Sequence, residues 1–162
     1  MKQRILAVDD EPDLIRLLKR IIVEKTNYDI VVTNNPLEIP EILNKEEFDL
    51  IITDLKMPGM DGMDILNFIK DNKRNEIVIM ITAFGSLDTA MEALSKGVFD
   101  YITKPFKKEH LIFTIDKAMK YLKTMKNYKE ITFVFDIDSE EESIDAYKKL
   151  RAKYRNELLK TV

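Results

Sequence analysis

The stretch Leu50–Leu66, LIITDLKMPGMDGMDIL, decides the fold. Leu50, Ile51 and Ile52 are apolar in succession, as in a strand buried on both faces of a parallel sheet, and Asp54 stands where the chain must leave that strand. Pro58, Gly59 and Gly62 then tighten a turn. In open α/β sheets ligands bind at the carboxyl edge of the strands, which puts Asp54 in a site position.

The same strand-then-helix rhythm continues on both sides. Upstream, ILAV within Arg4–Val8 reads as a strand that runs into Asp9, Asp10 and Glu11. Pro12 suits a first helical position, with Asp10 or Glu11 near the cap. Leu14, Ile15, Leu17, Leu18, Ile21 and Ile22 recur at helical spacing, predicting an amphipathic helix to about Thr26. Asp29–Thr33 is a second strand. Asn35-Pro36 opens a second helix, which Pro40 should leave short or irregular because proline lacks a backbone donor.

Downstream, Asp61–Asn72 reads as a helix, Glu76–Thr82 as a fourth buried strand and Leu87–Lys96 as a helix stopped by Gly97. Phe99–Thr103 is a fifth strand, meeting Lys104-Pro105, and Lys108 to about Tyr128 a long helix with Leu111, Ile112, Ile115, Ala118, Met119 and Leu122 at core spacing. Five strands alternating with five helices predict an α/β fold, a doubly wound parallel sheet with helices on both faces.

The totals bound the rest. The chain has 162 residues, a net charge of −3, 45% hydrophobic and 34% charged residues, enough for one well-packed domain and a small extension. Lys and Arg are scattered among Asp and Glu, which disfavours nucleic-acid binding. With no Cys, thiol catalysis, disulfides and Cys-based zinc sites are excluded. No apolar run reaches the roughly 18 residues a membrane helix requires, and the N-terminus turns acidic too early for a secretory signal, so a cytoplasmic location is expected.

After Tyr128 the pattern changes. Ile131, Phe133, Phe135 and Ile137 alternate with Thr132, Val134 and Asp136 as in a one-sided strand. Ser139 could cap a helix carrying Ile144, Tyr147, Leu150, Tyr154 and Leu158. The expected division is therefore 1–128 and a C-terminal βα extension, 129–162. With no Gly or Pro after Pro105, nothing resembles a flexible linker. A βα unit this small would have to dock on the first domain or on another chain. One reading is strand addition that makes a homodimer; the other is a chain end that packs opportunistically. FVFDIDS (Phe133–Ser139) superficially fits the start of a haloacid-dehalogenase-like phosphatase, but too little chain follows for the remaining catalytic parts. The basic run Lys148, Lys149, Arg151, Lys153 and Arg155 is balanced by Glu140, Glu141 and Glu142, as on a solvated helix face.

A right-handed parallel sheet would bring Asp9, Asp10, Asp54, Thr82 and Lys104 into one pocket. Two carboxylates about 4 Å apart repel by about 4 kcal/mol at an effective dielectric near 20. A hard divalent cation resolves that repulsion. Without Cys, and with His110 alone on the last helix, the ligands are oxygens, which suits Mg²⁺ and a phosphoryl oxygen. Lys104 supplies a point charge and Thr82 a hydroxyl for holding phosphoryl oxygens, and Asp54 is placed as the nucleophile. His110, among Lys107, Lys108 and Glu109, reads as a solvated surface residue.

At these residues the sequence resembles the receiver domains of bacterial two-component response regulators, over Met1 to about Lys126. The motifs are the acidic pair, Asp54 followed by MPGMDG, Thr82-Ala83 and Lys104-Pro105. GSLDTAMEALSKGVFDYITKPF looks most like receivers of sigma-54-type activators. The resemblance implies a flavodoxin-like sheet of order 2-1-3-4-5 and Asp54 as phosphoacceptor. It makes Asp10, Asp54 and the Lys56 backbone carbonyl direct Mg²⁺ ligands, with Asp9 acting through water. Thr82 and Tyr101 would be a switch pair, Lys104 the phosphoryl contact and Lys104-Pro105 a cis bond. It further implies a sensor histidine kinase or phosphotransfer protein as partner, and regulation without turnover of an external substrate. The competing expectation is a constitutive scaffold that uses the fold for dimerisation. No GxxxxGK[ST] loop for an ATPase output occurs, and the residues after Tyr128 are too few for a DNA-binding domain.

Overall fold

The structure, a computed structural model, describes residues 2–83 and 87–135. Its strands are β1 (Arg4–Val8), β2 (Asp29–Thr33), β3 (Leu50–Thr53), β4 (Ile77–Thr82) and β5 (Asp100–Thr103). The helices are α1 (Pro12–Lys25), α2 (Ile39–Lys45), α3 (Gly62–Asp71), α4 (Leu87–Ser95) and α5 (Lys108–Phe135). All strand pairs are parallel, in the order β2-β1-β3-β4-β5. The chain divides into two compact units, Met1–Met119 and Lys120–Val162.

In the first unit the order follows from right-handed crossovers. The chain steps one way from β1 to β2 and the other way from β3 onward, so α2, α3 and α4 share one face of the sheet. Strand alternation sends Leu6, Val8, Ile51, Val78 and Met80 into that layer, where they pack with Ile39, Leu43, Ile65, Leu66, Ile69 and Ala93. Ile5, Ala7, Leu50, Ile52, Ile79 and Ile81 point the other way and are equally buried. Ile15, Leu18, Ile21 and Ile22 of α1, and Leu111, Ile115, Ala118 and Met119 of α5, are the buried residues of the helices on that side. Each fully buried Ile or Leu contributes about 1.5–3 kcal/mol relative to exposure.

Helix ends follow their local chemistry. Asp61 caps α3, accepting from the Met63 and Asp64 amides at 2.8 and 2.9 Å while Asp64 accepts from the Asp61 amide at 2.9 Å, a reciprocal capping box. The irregular second helix is as expected. Asn35 caps one turn of 3-10 helix, Pro36–Glu38, and Pro40 falls in the first turn of the seven-residue α2, where its missing amide costs no intrahelical bond. Lys104-Pro105 is cis.

In the second unit the described residues correct one expectation. Ile131–Phe135 do not form a strand; they continue α5, which runs through the division expected at Tyr128. Once a helix is nucleated each further residue adds one bond at little cost, and no Gly or Pro interrupts Lys108–Phe135. A lone strand needs a partner before its apolar alternation stabilises it. Ile137, Ser139 and the expected second tail helix lie outside the described residues.

Gly62 sits where α3 meets the end of β3. A Cβ there would lie 2.5 Å from the Asp54 carbonyl oxygen and 3.2 Å from Leu55 Cα, and the Gly62 amide donates to the Leu55 carbonyl at 3.1 Å. Gly62→Ala should therefore cost about 1–3 kcal/mol through forced backbone displacement. Urea denaturation checks it, and an unchanged midpoint would refute the close packing.

Candidate functional site

The strand register assembles the site. Val8 pairs with Thr53, so the next residues, Asp9 and Asp54, emerge side by side, and the Asp54 amide donates to the Val8 carbonyl at 3.3 Å. Thr82 pairs with Thr103, and the Lys104 amide donates to the Thr82 carbonyl at 2.9 Å, carrying Lys104 over the same edge. Asp9, Asp54 and Thr82 are buried.

Lys104 is the hub. Its ammonium donates to Asp54 Oδ2 at 2.8 Å, Asp9 Oδ2 at 2.9 Å and Glu11 Oε1 at 3.0 Å. The second oxygen of each aspartate is held by backbone. Asp9 Oδ1 accepts from the Glu11 amide at 2.9 Å, and Asp54 Oδ1 from the Lys56 amide at 3.1 Å. Both carboxylates are thereby fixed in direction.

Burial pushes the Asp9 carboxyl above its ordinary range; hydrogen bonds from Lys104 and the Glu11 amide oppose this, and the nearby Asp54 charge adds to it. For Lys104, burial acts to lower the pKa. Hydrogen bonds to Asp54, Asp9 and Glu11 outweigh it and hold the ammonium above the ordinary lysine range.

Asp9, Glu11 and Asp54 each offer an oxygen, all within 4.8 Å of one another. One ammonium among three carboxylates leaves the pocket negative, and an all-oxygen donor set suits a hard divalent cation. The group is thus able to hold a metal.

The structure brings together Asp9, Asp54 and Lys104 as expected. Thr82 lies at the neighbouring strand end, and Tyr101, half-buried, pairs with Met80 and packs against the layer formed with α2, α3 and α4. Asp10 is exposed and is not among the three clustered acids. Lys56 meets Asp54 through its amide. His110 is exposed. Glu11, read from sequence only as part of a helix start, is the residue that reasoning missed. It does stand at the α1 N-cap position, yet its side chain makes no capping bond and turns to Lys104. The one available signal was the third acid of the run Asp9-Asp10-Glu11.

A doubly wound sheet of this order, with acids after β1 and β3 and a lysine after β5, defines the receiver class. The family described as the response regulator receiver domain matches residues 5–116, and the chain belongs to it. Response regulator protein PilR of Pseudomonas aeruginosa is 43% identical over 104 residues, 64% of this chain and 23% of PilR. Transcriptional regulatory protein GlrR of Escherichia coli is 38% identical over 116 residues, 72% of this chain and 26% of GlrR. Both are of the sigma-54 activator type that the sequence most resembles. The chain thus spans about a quarter of these relatives' length. Sporulation initiation phosphotransferase F of Bacillus subtilis is 36% identical over 127 residues, 78% of this chain and 99% of that protein. The crystal structure of the receiver domain of a LuxO repressor protein from Vibrio parahaemolyticus superposes with a TM-score of 0.74 at 31% identity, covering 78% of this chain and 96% of that one. No helix among the described residues is long and apolar enough to cross a membrane.

Because Asp9 is harder to ionise in the folded chain, its contribution to stability is complete below its ordinary value of 3.8 and is lost as pH rises through the raised folded value. Without divalent cation at neutral pH, Asp9→Asn should therefore melt above the parent, with the difference closing as the pH is lowered toward 3.8. Thermal melts in chelator across this range check the sign. A parent that is the more stable at neutral pH would refute it.

Proposed function

We propose that Asp54 accepts a phosphoryl group from the phosphohistidine of a sensor kinase or phosphotransfer protein in a Mg²⁺-dependent reaction, and that the modified domain switches a partner or its own dimerisation. The observation that supports this most is the buried Asp54 carboxylate, held by the Lys56 amide on one oxygen and the Lys104 ammonium on the other, beside Asp9. Mg²⁺ would be held by Asp54 and Asp10, the Lys56 carbonyl and, through water, Asp9. When bound it supplies neutralisation of charge on the phosphoryl oxygens.

The chain's own groups do the rest. An Asp54 oxygen attacks phosphorus in line, the new O–P bond forms as the P–N bond to histidine breaks, and histidine leaves with the electron pair and takes up a proton. Lys104, already 2.8 Å from Asp54, moves its charge to the arriving phosphoryl oxygens. The Thr82 hydroxyl is drawn toward the same group. Tyr101, packed on the layer that includes Met80 and Ala93, then resettles, altering the surface of α4, β5 and α5. No turnover of an external substrate follows from this chemistry, and a cytoplasmic setting fits a kinase partner. A constitutive scaffold would have no use for a buried, fully partnered carboxylate of this kind.

Incubation with acetyl phosphate and Mg²⁺ should give one acid-labile phosphate per chain, read by intact mass, and Asp54→Asn should abolish it. Label that persists on Asp54→Asn would sink the assignment.

A further inference from the structure

Glu11 is not accounted for by the phosphoacceptor chemistry, and its placement is unusual for a helix start. An N-cap side chain ordinarily accepts from the amides of the first turn. Here the backbone of Glu11 does the local work, its amide donating to Asp9 Oδ1 at 2.9 Å and its carbonyl accepting from the Ile15 amide at 3.2 Å. The carboxylate is left to reach across the pocket to Lys104, 93 positions away in sequence, at 3.0 Å.

The three acceptors of Lys104 differ in a telling way. The Asp9 and Asp54 side chains are 2% and 7% exposed, whereas that of Glu11 is 64% exposed and lies at the mouth. A cation held by Asp54, with Asp9 reaching it through water, would compete for the oxygens Lys104 now holds and would repel its ammonium. Glu11 is the one acceptor that can follow the ammonium outward, because nothing buries it.

We propose that Glu11 is a positioning residue for Lys104: it keeps the ammonium at the pocket mouth when Asp9 and Asp54 turn to a divalent cation, and so eases that cation's entry. The inference rests on the reading of Asp54, Asp9 and Lys104 as a Mg²⁺-dependent phosphoacceptor site. Removing the Glu11 charge leaves Lys104 with only the two buried aspartates, which makes it a stronger competitor against Mg²⁺.

The test is a double-mutant cycle on Mg²⁺ affinity, measured by titrating MgCl₂ into the full unphosphorylated chain and following the Lys56 amide by NMR. Because the Glu11 carboxylate is largely exposed, Glu11→Gln should weaken Mg²⁺ binding about two- to fivefold. Gln preserves size and leaves no cap unmade, so amide spectra away from the pocket should match the parent. In a Lys104→Met background, which should itself bind Mg²⁺ more tightly, Glu11→Gln should change nothing. Equal weakening in both backgrounds would overturn the proposal, since Glu11 would then act on the metal directly; so would no weakening in either. A parent chain that binds no Mg²⁺ would remove the underlying reading as well, which separates the two failures.

Discussion

A single ammonium held among three carboxylates is the constraint on which the rest of this structure depends. Like charges at such separations repel by several kcal/mol in a partly buried pocket, and burial adds a desolvation cost. Lys104 offsets part of both by donating to Asp9, Asp54 and Glu11 at 2.8–3.0 Å, though at Asp9 the burial cost still prevails. That geometry exists only because β1, β3 and β5 end at one edge. A one-residue slip of β3 against β1 would turn Asp54 to the other face of the sheet and leave a buried carboxylate without partner. The apolar strands therefore do more than fill a core. Their pairing, Val8 with Thr53 and Thr82 with Thr103, fixes the distances at the site.

Most of this was legible in the chain because strands buried on both faces write themselves as continuous apolar runs. ILAV, LII and IVIMI could be found without any partner, and the acids and lysine follow them directly in sequence. The crossover rule then placed Asp9, Asp54 and Lys104 together. What escaped depends on contacts distant in sequence. Which way Glu11 turns at the helix start is decided by an ammonium 93 positions away, and no local pattern encodes it. Asp10 follows Asp9 on a chain leaving the strand and is exposed, while the acids gathered on Lys104 are Asp9, Glu11 and Asp54. The residues from Ile131 failed differently. Their two-residue alternation is a valid strand pattern, but helix propagation from Lys108 needs no partner, whereas strand pairing does.

Gly62 and the capping box on α3 show how the site is held from behind. The first turn of α3 approaches the Asp54 backbone so closely that no side chain fits at Gly62, while Asp61 and Asp64 close the turn by reciprocal bonds. The residues between Asp54 and α3 thus form a short tie across which the carboxylate cannot drift. On the proposed reading, a nucleophile held this way would lose little orientational freedom when a phosphoryl donor arrives, and positioning of that kind is a main source of rate in phosphoryl transfer.

On the proposed reading, the same electrostatics couples the two events at the site. A divalent cation among Asp9 and Asp54 displaces the Lys104 charge, and a phosphoryl group on Asp54 attracts it, so each makes the other's arrival easier. Coupling of binding free energies is reciprocal; a cation that favours the phosphorylated state must be bound more tightly by it. On the same reading, movement of Lys104 would also be felt beyond the pocket, because its amide is bonded to the Thr82 carbonyl and the strand it leaves carries Tyr101. Thr82 and Tyr101 lie on neighbouring strands, and Tyr101 packs against the core cluster that includes Ala93 of α4 and Val98 of the turn after it. On that reading, a change of charge at a strand end would reach α4 through side chains already packed together, since the core that Tyr101 touches also holds Ala93.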